Sequence, residues 1–287
     1  MQLRAVAAIA ALTLASAACA DASSTTSGTG AIAHPTGASE LVLRVATGGG
    51  FTAPEYQLRL VPEFSLYGDG TLIAPGAQIE IYPGPALPSL QGQSVSEEGM
   101  QAILQAAIDA GVETRHDMID MGSTMVADAP TTTFTISADG TTNSFGVYAL
   151  GMFDGERPQG MSKEEYDARA ELSTFVQEIG SLQSWLPSGS LGTATDQAST
   201  GARVYVGDVR RDEQLSQPKI AWPLDAALAS FGEPGGAGYR CGVVTGPDWT
   251  DTLGPLAATA NELTPWASDG ERYGLVFRPL LPDESSC

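Results

Sequence analysis

Cations are scarce in this 287-residue chain. Fourteen lysines and arginines face thirty-four aspartates and glutamates, for a formal net charge of −20. Only Lys163 and Lys219 are lysines. Nucleic-acid binding relies on lysine and arginine to displace counterions, so that class of function is excluded. Adsorption to anionic lipid headgroups is excluded on the same ground. The acids are scattered rather than run together, which fits a soluble, self-repelling surface; attraction of cations or basic partners is the sharper alternative. Histidine is limited to His34 and His116, too few for a zinc site. His116, in residues 114–118 (TRHDM), reads as a surface residue paired with a neighbour. No G-x-S-x-G elbow occurs. Gly48, Gly49 and Gly50 could cradle an anion but lack the lysine and following helix of a P-loop, and read as a flexible strand end. No apolar run is long enough to span a bilayer. Nothing in the sequence implies a cofactor.

The N-terminus carries an address. Arg4 precedes an apolar run over residues 5–14, and Ser16, Ala17 and Ala18 lead to Cys19. One basic flank and a short apolar stretch form an export signal rather than a membrane span. Small residues before a cysteine resemble the lipobox of bacterial lipoproteins, with Ser16 standing where leucine is commonest. That resemblance implies cleavage after residue 18 and a diacylglyceryl thioether, with palmitate-like acylation, on Cys19. The rival reading is an A-x-A site at residues 18–20 cut before Asp21. Residues 21–39 are rich in Ser, Thr, Gly and Ala and read as a flexible tether. Acyl chains hold a membrane by roughly 0.8 kcal/mol per buried methylene, so two chains anchor where one barely does. The expected location is the cell envelope outside the cytoplasm, lipid-anchored to a membrane.

Besides Cys19 there are only Cys241 and Cys287. In an exported chain an even pair reads as a disulfide. It would close a loop of about 46 residues, worth roughly 4 kcal/mol by the chain-entropy model. Residues 279–286 would then run back along the strand bearing Cys241.

Along the chain, residues 41–45 and 56–60 alternate like strands. Residues 64–71 (FSLYGDGT) read as a hairpin turning at Asp69 and Gly70. Residues 78–82 read as a strand, and the prolines of 83–88 as an irregular segment. Ser94-x-x-Glu97 forms a capping box. Met100, Ile103, Leu104, Ala107 and Ile108 mark one helical face, ended by Gly111. Residues 134–141 (FTISADGT) align without gaps on 64–71, and Ser162-x-x-Glu165 caps a second helix carrying Leu172, Phe175, Val176, Ile179, Leu182 and Leu186. A repeated hairpin-then-helix unit would explain this match; two independent Asp-Gly hairpins would also. Later come strands at 204–206, 239–245 and 273–277, a short helix at 223–231, and a helix at 249–261 that Gly254 and Pro255 should bend or restart.

The fold class is therefore α+β: antiparallel sheets with helices packed on one face, in two units. The expected boundaries are 1–18 signal peptide, 19–39 tether, 40–187 hairpin–helix domain, 188–202 linker or loop, and 203–287 a C-terminal unit with the disulfide.

Residues 49–56 (GGFTAPEY), 67–70 (YGDG) and 81–85 (IYPGP), with 266–270 (WASDG), 278–284 (RPLLPDE) and the terminal Cys287, resemble uncharacterised exported actinobacterial-type lipoproteins of unknown function. The resemblance implies architecture and compartment and no activity.

The exposed apolar, proline-rich segment with Tyr82, Pro83, Pro85, Leu87 and Pro88 is the candidate contact surface, since such segments lose little entropy on docking. Its bland reading is a loop packed on the sheet. Asp117, Asp120 and Asp128 are weak candidates for calcium, which takes oxygen ligands; no EF-hand spacing is present. The leading expectation is a non-catalytic binding or structural lipoprotein whose partners are the membrane and an envelope protein. The alternative is a secreted carboxylate- or calcium-dependent hydrolase, which would show a deep pocket holding two or more acids without a cationic partner.

Overall fold

A computed structural model describes residues 30–121, 126–153, 155–210 and 215–287. The signal peptide, Cys19 and most of the expected tether lie outside the described residues. Ile32–Cys287 is one unit, and it holds two sheets.

The first sheet contains β1 (Leu41–Gly49), β2 (Phe64–Tyr67), β3 (Thr71–Pro75), β4 (Leu90–Ser94), β5 (Pro130–Ala138), β6 (Thr141–Tyr148) and β7 (Thr195–Gln197). Its order is β6-β5-β1-β2-β3-β4-β7, antiparallel throughout. Two helices, α2 (Glu97–Asp109) and α3 (Lys163–Ile179), cover one face; α1 (Pro54–Arg59) lies elsewhere. Met100, Ile103, Leu104 and Ala107 of α2 and Leu172, Phe175 and Ile179 of α3 share a core with Val45, Phe64, Phe134 and Phe145. The expected stripes are thus the buried ones. Phe134 stacks on Phe145 at 5.3 Å between ring centres.

The second sheet contains β8 (Gly201–Gly207), β9 (Ile220–Ala221), β10 (Glu233–Pro234), β11 (Arg240–Thr245), β12 (Pro265–Ser268) and β13 (Glu271–Pro279), in the order β10-β11-β8-β13-β12-β9. Only β12 and β9 pair in parallel. Trp249, Leu253 and Ala257, from a π-helical turn over Asp248–Leu253 and from α4 (Gly254–Thr259), join Trp222, Trp266 and Phe277 in its core. The chain is α+β with antiparallel-dominated sheets, as its composition and turns imply.

Several local readings change. Residues 56–60 are the end of α1, not a strand: Pro54 presets the first helical turn, and Glu55 and Arg59 suit its two ends. Gln57 turns back on β1, donating to the Gly49 carbonyl and accepting from the Gly49 amide, both at 2.7 Å. One side chain thereby replaces a strand neighbour. Residues 78–82 form no strand and are exposed. The cap of α2 is Ser96, which accepts from the Gly99 amide, because Ser94 is still paired with Thr71 in the sheet. Ser162 caps α3 as expected, accepting from the Glu165 amide. Residues 223–231 contain only a 3-10 turn at Leu228–Ser230. Residues 188–202, expected as linker or loop, supply β7, and Leu191 bridges to Val95. Residues 32–39 of the expected tether pack on α2: Gln101 bonds both backbone groups of Ile32, and the His34 ring reaches Glu97 at 3.2 Å.

The hairpin match is not a duplication that superposes. β2 and β5 flank β1 on opposite sides, and both run antiparallel to it. Phe64 and Phe134 both lie opposite Val45; Leu66 and Ile136 both lie opposite Leu43. The matched residues share one face and one direction, yet β3 lies outside β2 and β6 outside β5. The hairpins extend in opposite directions across the sheet, a mirror-like layout that no rotation produces while keeping face and direction. The two Asp-Gly hairpins share one apolar face without superposing.

Cys241 and Cys287 form a disulfide with 6.0 Å between α-carbons. The terminal segment does not run along β11. It crosses β8, where Arg203 donates to the Ser286 carbonyl at 2.6 Å, and reaches Cys241 on the strand beyond.

Candidate functional site

Chemistry-bearing residues from distant parts of the sequence meet beside α1. A cavity of about 200 Å³ is lined by Tyr56, Arg59, Arg210 and Glu262 around an apolar floor of Ala86, Leu275 and Val276. Glu55 also lines it, and Tyr239 donates to the Glu55 carboxylate at 2.5 Å across 184 residues of sequence. That hydrogen bond holds the Glu55 carboxyl below its ordinary range. Burial, followed by the same carboxylate, pushes the Tyr239 phenol up. Near neutral pH the pair is therefore a carboxylate accepting from a phenol, and neither group is poised to move a proton.

Glu262 stands between two guanidinium groups. Its carboxylate lies 3.7 Å from Arg59 and 3.4 Å from Arg210. Arg59 also donates to the Pro85 carbonyl at 2.7 Å, and burial draws its pKa down. Both acids of the cavity thus have partners, one a phenol and one a pair of cations. A carboxylate-based hydrolase needs two carboxyl groups facing a bond to be cut, and here each carboxylate is engaged by a protein partner.

The segment between β3 and β4 borders the cavity. Its ends are pinned. Gly76 donates to the Ser89 carbonyl, and the Ser89 hydroxyl donates to the Ala77 carbonyl, each at 2.9 Å. At the other end, Gly84 and Glu262 exchange backbone and side-chain bonds, and Ala86 donates to the Ala260 carbonyl. Between these anchors Ile79, Ile81 and Tyr82 are 67%, 59% and 63% exposed. Of the expected contact residues, Tyr82 is exposed, Pro83, Pro85 and Leu87 are half-buried, and Pro88 is buried. Leu87 packs toward the second core. The exposed surface is thus shifted toward residues 79–82.

The remaining candidates fall apart from this cavity. Asp117 accepts from the Gly146 amide at 2.7 Å and serves the edge of β6. Asp120 is exposed, and Asp128 sits at a turn with φ of 57°. Among the described residues no three acidic, His or Cys side chains converge on a metal position. The Gly49 amide is already taken by Gln57 and is not open to an anion. His116 is exposed.

Two clusters escaped the sequence reading. Asp283 takes a two-pronged bond from Arg44, at 2.7 and 3.0 Å, and a third from the Tyr67 hydroxyl at 2.8 Å. Glu284 takes a two-pronged bond from Arg278, at 2.6 and 2.9 Å, with Arg203 at 3.5 Å. Arg278 also donates to the Leu60 carbonyl at 2.7 Å, so the pair ties β13 to the end of α1. The available signal was two adjacent acids just before a tethered C-terminus. Among the described residues, no helix is long and apolar enough to cross a membrane. No family model, curated protein or solved structure matches this chain.

Proposed function

We propose that this chain is a non-catalytic binding protein of the cell envelope, exported and held to a membrane by lipid on Cys19. Its contact surface is the pinned loop at residues 79–82, backed by the α1 cavity. The observation that carries this reading is the exposure of Ile79, Ile81 and Tyr82 on a loop fixed at both ends. Three large apolar side chains held out on a preorganised loop lose little entropy on docking, and Tyr is enriched at interface hot spots. The partner is an envelope protein. Glu80 between the isoleucines, and the chain's net charge of −20, favour a partner with basic residues around an apolar groove.

The test is a photo-crosslinking residue at position 82 in intact envelopes. One saturable adduct of defined mass, lost when Ile79 and Ile81 are replaced by serine, supports the reading. No adduct, or an adduct indifferent to those replacements, refutes it. The anchor is tested separately by the mass of the mature N-terminus: diacylated Cys19 is expected, and an unmodified start at Asp21 refutes it.

A further inference from the structure

We propose that residues 280–287 are a releasable strap: an acidic peptide bound in cis to an arginine site formed by Arg44, Arg203 and Arg278, and freed when the Cys241–Cys287 disulfide is reduced.

The strap leaves the end of β13 and behaves as a docked ligand. Leu281 is buried against Val61, Tyr67, Ile73 and Leu90, on the face of the first sheet away from α2 and α3. Asp283 and Glu284 then meet the three arginines and the Tyr67 hydroxyl. Forked guanidinium–carboxylate pairs of this kind are the usual means of recognising a carboxylate. The site therefore takes an apolar residue followed by two acids. In a chain with fourteen cations, three at one site form a concentrated basic patch that the strap neutralises.

Neither large core depends on the strap. Of its two buried residues, Leu280 and Leu281, only Leu281 belongs to a core cluster, and that is the small one on the first sheet's second face. Local opening of a segment outside both large cores lies toward the low-stability end of a native structure. The lock is reachable: Cys287 is exposed, whereas Cys241 is buried. A dithiol reductant's thiolate attacks the Cys287 sulfur, the Cys241–Cys287 bond breaks, and the Cys241 thiolate takes up a proton. The reductant's second thiol then closes on the mixed disulfide and releases Cys287 as a thiol. Two electrons pass to the chain and the reductant leaves as a disulfide.

The experiment uses the full folded chain, a fluorescent synthetic peptide matching residues 279–286, and the same peptide with Asn and Gln for its two acids. Amide exchange is followed at residues 280–287 and in β2 and β3. The oxidised chain should not bind the acidic peptide. Cys287→Ser, or the wild-type chain in dithiol, should show faster exchange at the strap with α2 and α3 still protected, and should bind the acidic peptide in a salt-sensitive way. Adding Asp283→Asn and Glu284→Gln to Cys287→Ser should tighten peptide binding at least tenfold, because the cis competitor is weakened. Unchanged exchange after reduction overturns release. Loss of protection throughout overturns a local strap and makes the bond a staple of the whole fold. An open strap without preference for the acidic peptide overturns the arginine site.

Discussion

Replacing Asp283 by Asn tests the clamp between the terminal segment and the first sheet with almost no change of shape. The carboxylate accepts three hydrogen bonds, two from Arg44 and one from Tyr67. Asn keeps one acceptor, loses the charge, and turns an NH₂ group toward a guanidinium. Hydrogen bonds to charged groups contribute about 1.5–3 kcal/mol. The Asp283 side chain is 21% exposed, so solvent screening places the expected loss at about 2 kcal/mol. For a unit of this size that shifts a urea midpoint by roughly 1 M or somewhat less. The pH dependence gives the reasoning its sharper edge. Burial opposes ionisation of Asp283, but the bonds from Arg44 and Tyr67 outweigh it and hold the carboxyl below its ordinary value. The unfolded chain, with an aspartate near about 3.9, then binds protons more readily than the folded one. The clamp's contribution is full above that value and is lost as pH falls through the lower, folded one. Urea unfolding of wild type and Asp283→Asn should differ by the full amount at pH 7 and converge in strong acid. Glu284, lowered in the same direction by Arg278, is common to both chains and cancels in the difference. A gap that is absent at pH 7, or unchanged in strong acid, would refute the argument.

Phe134→Ala should cost about 3–5 kcal/mol in the same assay, because it empties the stack with Phe145 and the contact with Phe175 at the centre of the first core. Ser96→Ala should cost about 1 kcal/mol and Ser94→Ala less, by thermal unfolding, since only Ser96 caps α2; the reverse order would restore the earlier cap position. Gly232→Ala should leave free thiols or fail to fold, because φ is 62° and a Cβ would sit 2.0 Å from the Cys241 carbonyl oxygen. Thiol titration of the denatured, unreduced mature wild type should find none, with Cys241 bonded to Cys287 and Cys19 acylated; two free thiols would deny the disulfide.

What was legible in the sequence was local. The Asp139–Gly140 turn was, because both residues have the positive φ that the tightest hairpins require, whereas at Asp69–Gly70 only the glycine does. The stripes of α2 and α3 were, because a period of 3.6 has no strand counterpart over four turns. The restart at Gly254 was visible, although the turn before it is π-helical rather than α. Short elements failed for want of length. Tyr56, Leu58 and Leu60 alternate over five residues, too few to separate a strand from one and a half helical turns, and Pro54 decided the matter. Residues 78–82 alternate equally well, but nothing covers Ile79 or Ile81. β7 has no apolar pattern at all; it is exposed along its length and held by backbone pairing to β4.

The candidate site was illegible for a different reason. Arg44 and Asp283 are 239 residues apart, and Glu55 and Tyr239 are 184 apart. Charge pairing has no period, so nothing in the intervening chain announces it. Composition still narrows the search. Eight of the fourteen lysines and arginines make ion pairs among the described residues, and five of those eight stand at the strap or the α1 cavity. With acids more than twice as common as bases, an average acid has no partner and is held out in water, where it costs little. An arginine in such a chain is surrounded by candidate partners, and half-burying it is worthwhile only where a carboxylate or carbonyls are fixed to receive it. Arg169 shows the limit of this reasoning: it is buried and fully occupied by Glu165 and the carbonyls of Met118 and Tyr148, and it joins α3 to the sheet without bordering either site's acids. The informative cations are the ones whose partners lie far away in the sequence and outside their own element, because there the pairing ties the terminal segment and the α1 cavity to the sheets.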